Sequence, residues 1–190
     1  MDGLRLGFAI SGSFCTFDRI LQVIRSLADE GAQITPILSF NAATLDTRFG
    51  TAADLHKKLE EITGKKPLET LIEVEPIGPM ALFDVVVVAP CTGSTLGRLA
   101  NGISDTPVTL AVKSHLRRSM PVVLGISTND ALGASMRNIS ILKNTKYIYL
   151  VPVRQDDPLH KPNSLIADFS LLGKTIEAAK NGIQLQPLFL

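Results

Sequence analysis

Two rhythms of apolar residues alternate along this chain. The first is short, continuous and rich in β-branched residues. It occurs at Leu4–Ile10, Gln33–Leu38, Leu71–Val74, Val85–Val88, Pro121–Ile126 and Tyr147–Val153. The unbroken run Val85, Val86, Val87, Val88 lacks apolar–polar alternation. That pattern suits a strand buried on both faces of a parallel sheet. The second rhythm has three- and four-residue spacing and predicts helices. It runs through Phe17, Ile20, Leu21, Ile24 and Leu27 to a stop at Gly31, and through Ala52, Leu55, Leu59 and Ile62 to Gly64, with Thr51 as cap. It returns at Leu96, Leu99 and Ala100 before Gly102, and at Leu110, Ala111, Ser114 and Leu116 behind Thr106-Pro107. Two more helices follow, on Leu132, Met136, Ile139 and Leu142, and on Leu165, Phe169, Leu172, Ile176 and Ala179 between Ser164 and Asn181-Gly182. Hydroxyl residues open these stretches and glycines close them, as helix ends require. The alternation predicts an α/β fold: a doubly wound parallel sheet, Rossmann-like or flavodoxin-like, with helices on both faces. Residues 1–190 read as one such domain.

Four polar turns follow predicted strands: Ser11-Gly12-Ser13, Ser39, Thr92-Gly93-Ser94-Thr95 and Ser127-Thr128-Asn129. In doubly wound sheets ligands sit beyond the carboxyl ends of the strands. Unpaired N–H groups at helix starts favour an anion there. The turns therefore converge on a site for a phosphate-bearing small molecule, against the simpler alternative that their hydroxyls only cap helices. Neither G-x-G-x-x-G nor a P-loop lysine is present. No Ser-His-Asp pattern, paired-carboxylate motif or metal-ligand spacing appears, so the residues leave the chemistry open. Asn41–Arg48 reads as a polar loop. Arg154–Asn163 is a charged, proline-bearing loop, serving as a lid, a partner contact or a connector.

Composition narrows the class. The 190 residues carry a formal net charge of +1, with 45% hydrophobic and 5% aromatic residues and no Trp. A mean hydropathy of +0.24 points to a large aliphatic core. Near-neutral charge without a basic run argues against nucleic acid or an acidic membrane surface. No segment is long enough to span a bilayer. Asp2 and the short apolar core Gly7–Ile10 do not fit a signal peptide, so a soluble cytoplasmic protein is expected. Cys15 and Cys91 read as small buried thiols, His56 as solvated and His115 as a surface residue.

Ser11-Gly12-Ser13, APCTGST at Ala89–Thr95 and ANGISD at Ala100–Asp105 resemble the flavoprotein superfamily of flavin-dependent cysteine decarboxylases and flavin prenyltransferases. The resemblance implies flavin mononucleotide (FMN) as cofactor, with Ser11, Gly12 and Ser13 on the phosphate side. Ser39 would lie near the ribityl chain or phosphate, and Thr92, Gly93, Ser94 and Thr95 would line the cofactor. It also implies a homo-oligomer, commonly a trimer. The catalytic histidine of the decarboxylases is replaced by Pro76 and the asparagine of their AP motif by Ser94; their Pro-x-Met-Asn motif is absent, as is the Arg-Glu-Thr of the prenyltransferases. Thr47-Arg48-Phe49-Gly50, Val151–Ala179 and Gln184-Leu185-Gln186-Pro187 resemble one branch, a component of a sporulation-linked oxidoreductase. That likeness implies NAD(P) on a partner subunit and a small dicarboxylate substrate. Arg154, Lys161 and Lys113 are the cations considered for its carboxylates.

Overall fold

In the computed structural model, which describes residues 1–190, the sheet is built around β3 (Val85–Cys91), every residue of which is buried. Parallel to it run β1 (Arg5–Ile10), β2 (Gln33–Leu38), β4 (Val122–Thr128) and β5 (Ile148–Leu150), in the order β2-β1-β3-β4-β5. Leu6 pairs with Val85 and Ala9 with Val88, so the carboxyl ends of β1 and β3 finish side by side. Two short strands, β6 (Val153–Arg154) and β7 (Leu165–Ala167), add an antiparallel extension through Ser127 and Thr128 of β4.

The chain steps from β1 to β2 through α1 (Phe17–Asp29), then crosses back over β1 to reach β3. Strand order therefore reverses between β1 and β3, and the loops there diverge to leave a crevice. Between β2 and β3 lie α2 (Phe40–Thr44), α3 (Ala52–Thr63) and α4 (Leu71–Val74). Beyond β3 come α5 (Gly93–Ala100), α6 (Pro107–Leu116), α7 (Ser135–Lys143) and α8 (Leu172–Lys180). The helices α1 and α8 both pack on the 3-10 turn Phe169–Leu171, whereas α6 lies across β2, β3 and β4. Forty-five buried apolar residues form one continuous cluster, the aliphatic core that the composition implies. The doubly wound parallel sheet is thus present.

Four stretches differ from the sequence pattern. Leu71–Val74 is a helical turn, not a strand. Thr70 and Glu73 form a capping box, and the Glu73 carboxylate accepts from the N–H groups of Glu69 and Thr70 at 3.0 and 2.9 Å. Four apolar-rich residues fit either period, and here the cap decides. A 3-10 turn at Glu75–Ile77 continues it, and the pair covers α6. His115 on α6, read from sequence as a surface residue, is buried to 1% exposure, with the backbone of Asp84 and Pro121 beside its ring. Its Nε2 has no hydrogen-bond partner. Near the end, Leu165–Ala167 is strand β7, so Ser164 does not cap the last helix; Asp168 accepts from Ser170 N–H instead, and α8 starts at Leu172. The predicted Tyr147–Val153 strand divides into β5 and β6, and part of the predicted Asn41–Arg48 loop is α2. Cys91 is buried, but Cys15 is exposed, because it lies on a 3-10 turn leading into α1. His56 is tied to Glu69 and to the Ala52 carbonyl instead of being free in solvent.

Burial pushes the His115 imidazole down to about 4, from an ordinary value of 6.5. Between these values only the unfolded chain binds the proton, so stability falls as pH drops below 6.5 and stops falling near 4. The loss between pH 7.5 and 5 amounts to about 2 kcal/mol for this group. Urea denaturation of wild type and His115→Leu at both pH values should show that step only in the wild type. Equal pH dependence in the two proteins would exclude His115 as its source. A Cβ at Gly78 would collide with the Ser114 carbonyl oxygen on α6. Gly78→Ala should therefore cost about 1–3 kcal/mol, read as a lower urea midpoint at constant slope.

Candidate functional site

The reversal of strand order places four loop starts around one crevice. Ser11 follows β1, Ser39 follows β2, Thr92 follows β3, and Ser127–Thr128 end β4. The Ser11 side chain is buried and donates to the Pro90 carbonyl at 2.7 Å, while accepting from Thr92 N–H at 3.0 Å. It joins the ends of β1 and β3 and sets where α5 begins. Thr92 caps α5 by accepting from Thr95 N–H at 3.4 Å, and the two hydroxyls lie 3.1 Å apart. Ser39 caps α2 by accepting from Ala42 N–H at 3.3 Å. These hydroxyls hold backbone in place.

Other groups are left open. The N–H groups of Gly93 and Ser94 occupy the first turn of α5, where no helical carbonyl reaches them. Ser94 is exposed, and its hydroxyl has no partner. A Cβ on Gly93 would sit 2.8 Å from Thr128 Oγ1 and 3.0 Å from Ser135 Oγ. Only glycine lets this helix start lie so close to β4 and α7. The crevice encloses about 680 Å³ and is lined by Ser11, Gly12, Ser39 and Thr92–Thr95, together with Asn41, Arg98 and Thr106. Phe40 is its sole hydrophobic lining residue. Arg98 stands one turn from Ser94 on the same face of α5, and its Nε donates to Asp105 at 3.0 Å. That i, i+4 relation was the available sequence signal for Arg98.

Ser13 lies apart from this crevice. It lines a neighbouring chamber of about 450 Å³, and its hydroxyl lies 2.9 Å from that of Ser127. Gly12, Thr92, Gly93, Thr128 and Asp130 border both spaces. The chamber is less polar: Phe14, Phe49, Leu165 and Ile166 form much of its wall. The loop between β6 and β7 closes one side with Asp156 and Lys161. That loop is braced internally, by Gln155 Nε2 to the Pro162 carbonyl at 2.8 Å and Lys161 N–H to the Asp157 carbonyl at 2.8 Å. Of the three cations considered from sequence, only Lys161 reaches the chamber. Arg154 faces Asp168 at 3.8 Å, and Lys113 bonds Ser104 at 3.2 Å. Sequence reasoning missed Asn41, Arg98, Thr106, Asp130 and Ser135. Apart from Arg98 they are brought in by loops and helix starts with no shared spacing.

A depression of about 660 Å³ also exists at the opposite, amino-terminal edge of the sheet, among Met1–Leu4, Asp84 and Tyr147. It contains none of the strand-end turns. The open N–H groups and the reversal of strand order single out the carboxyl edge. No helix is long and apolar enough to cross a membrane, and no cluster of metal-ligating side chains occurs.

Comparison with known proteins agrees with this architecture. The family model described as Flavoprotein matches residues 1–169. The B subunit of dipicolinate synthase from Bacillus subtilis (strain 168) is 44% identical over 190 residues, covering 100% of this chain and 95% of that protein. The crystal structure of the dipicolinate synthase B subunit from Bacillus halodurans C superposes with a TM-score of 0.92 at 41% identity, covering 100% of this chain and 97% of that one. The FMN-dependent cysteine decarboxylase SpaF shares the fold, with a TM-score of 0.70 at 23% identity over 93% of this chain and 97% of its own. The chain belongs to the Flavoprotein family, in the branch that contains the B subunit of dipicolinate synthase.

Proposed function

We propose that this chain is the B-type subunit of a dipicolinate synthase. In this reading it acts with a nicotinamide-binding A subunit in the cytoplasm of a spore-forming cell. Together they oxidise a dihydrodipicolinate-type intermediate to dipicolinate. The observation that carries the reading is the match along the whole chain to a protein named as a component of that synthase. The absent dinucleotide fingerprint agrees with a nicotinamide site on the partner. The family resemblance, with a fold neighbour, Burkholderia xenovorans DmrB, described as a cubic protein cage, favours a homo-oligomer as the working unit.

The crevice fits FMN. Its volume lies in the range of small-molecule sites. Two open N–H groups on α5, the Ser94 hydroxyl and the Arg98 guanidinium suit a phosphate. Ser39, Thr92, Thr95 and Asn41 suit a polyhydroxyl chain, and Phe40 offers a flat ring an apolar contact. Bound there, a flavin supplies two-electron redox chemistry. The protein's part is to seat it: Ser11 fixes the spacing of the β1 and β3 ends, Gly93 brings the helix start into the crevice, and Ser13 with Ser127 shapes the border of the chamber. Decarboxylase chemistry is disfavoured, because Pro76 stands at the catalytic histidine position and lies in the turn that covers α6.

Flavin fluorescence on titration tests the cofactor site. Wild type should quench FMN fluorescence, and Ser94→Asp should weaken binding at least tenfold by placing a carboxylate at the phosphate position. Its urea midpoint should hold or rise, since an acid in the first helical turn contributes about 0.3–1 kcal/mol. Unchanged flavin affinity in the variant would remove Ser94 from the site; no binding by the wild type would leave the chain as a substrate-holding or structural partner of the A subunit. Oxidation of the dihydro intermediate should require both subunits. Full activity of the A subunit alone would overturn the assignment.

A further inference from the structure

Four charged side chains line the crevice and the chamber: Arg98, Asp130, Asp156 and Lys161. Three of them are engaged, Arg98 with Asp105 at 3.0 Å and Lys161 with Asp156 at 3.4 Å. Asp130 differs. Its carboxylate joins no ion pair and no hydrogen bond, while its backbone is held firmly. The Asp130 N–H donates to Thr128 Oγ1 at 3.4 Å, and its carbonyl accepts from the N–H groups of Gly133 and Ser135, both at 3.2 Å. It is also the only titratable residue that borders both spaces. A carboxylate that is free of partners, on a fixed backbone at the junction of two cavities, is placed to exchange a proton with a bound molecule.

Resting on the function proposed above, we infer that the chamber receives the ring dicarboxylate and that Asp130 is the base that takes a ring proton during aromatisation. Oxidation removes two hydrogens. One ring carbon gives up its hydrogen as hydride to the nicotinamide of the partner subunit. On the neighbouring carbon the C–H bond breaks, its proton goes to the Asp130 carboxylate, and its electron pair becomes the last double bond of the aromatic ring. Asp130 is exposed and returns the proton to solvent. Lys161 is available for a substrate carboxylate, because its exposed pair with Asp156 contributes little. The Ser13 and Ser127 hydroxyls and the Asn129 amide supply further donors. Asp156 is a poor base: burial opposes its charge, but hydrogen bonds from Ser164 and Lys161 prevail and hold it below the usual carboxylate range. Asp130, with no such partners, is the carboxylate left free to accept a proton.

The test uses the full chain with its nicotinamide-binding partner, comparing wild type, Asp130→Asn and Asp130→Glu across pH 5.5–9. Asp130→Asn should lower kcat about 100-fold or more, leave KM within about threefold, and lose the acid limb of the profile. Asp130→Glu should keep that limb and part of the rate. Calorimetric binding of dipicolinate to this chain alone gives a second readout. Wild-type affinity should weaken as pH rises, because the bound dianion favours protonated Asp130, and Asp130→Asn should bind with flat pH dependence. An Asp130→Asn protein with wild-type kcat and acid limb, or with wild-type pH dependence of binding, overturns the role of Asp130 while the assignment to the synthase stands. A wild-type pair that neither oxidises substrate nor binds dipicolinate overturns both.

Discussion

The joint between the ends of β1 and β3 is the constraint on which the rest of the site depends. Three hydrogen bonds converge there: the Ser11 N–H and hydroxyl both donate to the Pro90 carbonyl, and Thr92 N–H donates back to Ser11 Oγ. Buried polar groups must be satisfied, and here each completes the other at the point where strand order reverses. The start of α5 is thereby fixed in position and direction. Its open N–H groups face the crevice without a lysine, a metal or a dinucleotide fingerprint.

A division of labour follows among the hydroxyl residues. Ser11, Ser39 and Thr92 spend their hydrogen bonds on backbone, so they shape the cavity more than they fill it. Ser94, the first-turn N–H groups of α5 and Asn41 are the groups left facing open space, with Arg98 beside them held by Asp105. The two readings available from sequence, capping and ligand binding, were not exclusive. Capping at one residue is what leaves its neighbours free.

The misread segments share a cause. Leu71–Val74 has a composition that suits a strand, but the Thr70–Glu73 box turns it into a helix lying over α6. His115 on α6 is likewise buried, beside Asp84 and Pro121, with an unsatisfied nitrogen. Leu165 fits the spacing of the final helix, yet with Ile166 it pairs with Thr128 and Ser127 as an edge strand and carries the chamber wall. Short apolar stretches have no period of their own, so their neighbours decide.

Longer patterns needed no such help. The valine run, the helical spacing of α1 and α3, and the glycines that end helices at Gly31, Gly64, Gly102 and Gly182 with positive φ determined the sheet class and most element borders locally. The strand-end turns were visible for the same reason, because hydroxyl and glycine residues mark helix starts. Only the tertiary structure decided that Ser13 belongs to a second chamber, that Lys161 reaches it while Arg154 and Lys113 do not, and that Asp130 stands unpaired between the two spaces. Those facts depend on which loops meet across the sheet edge, and loop encounters are set by strand order and packing, which no local period encodes.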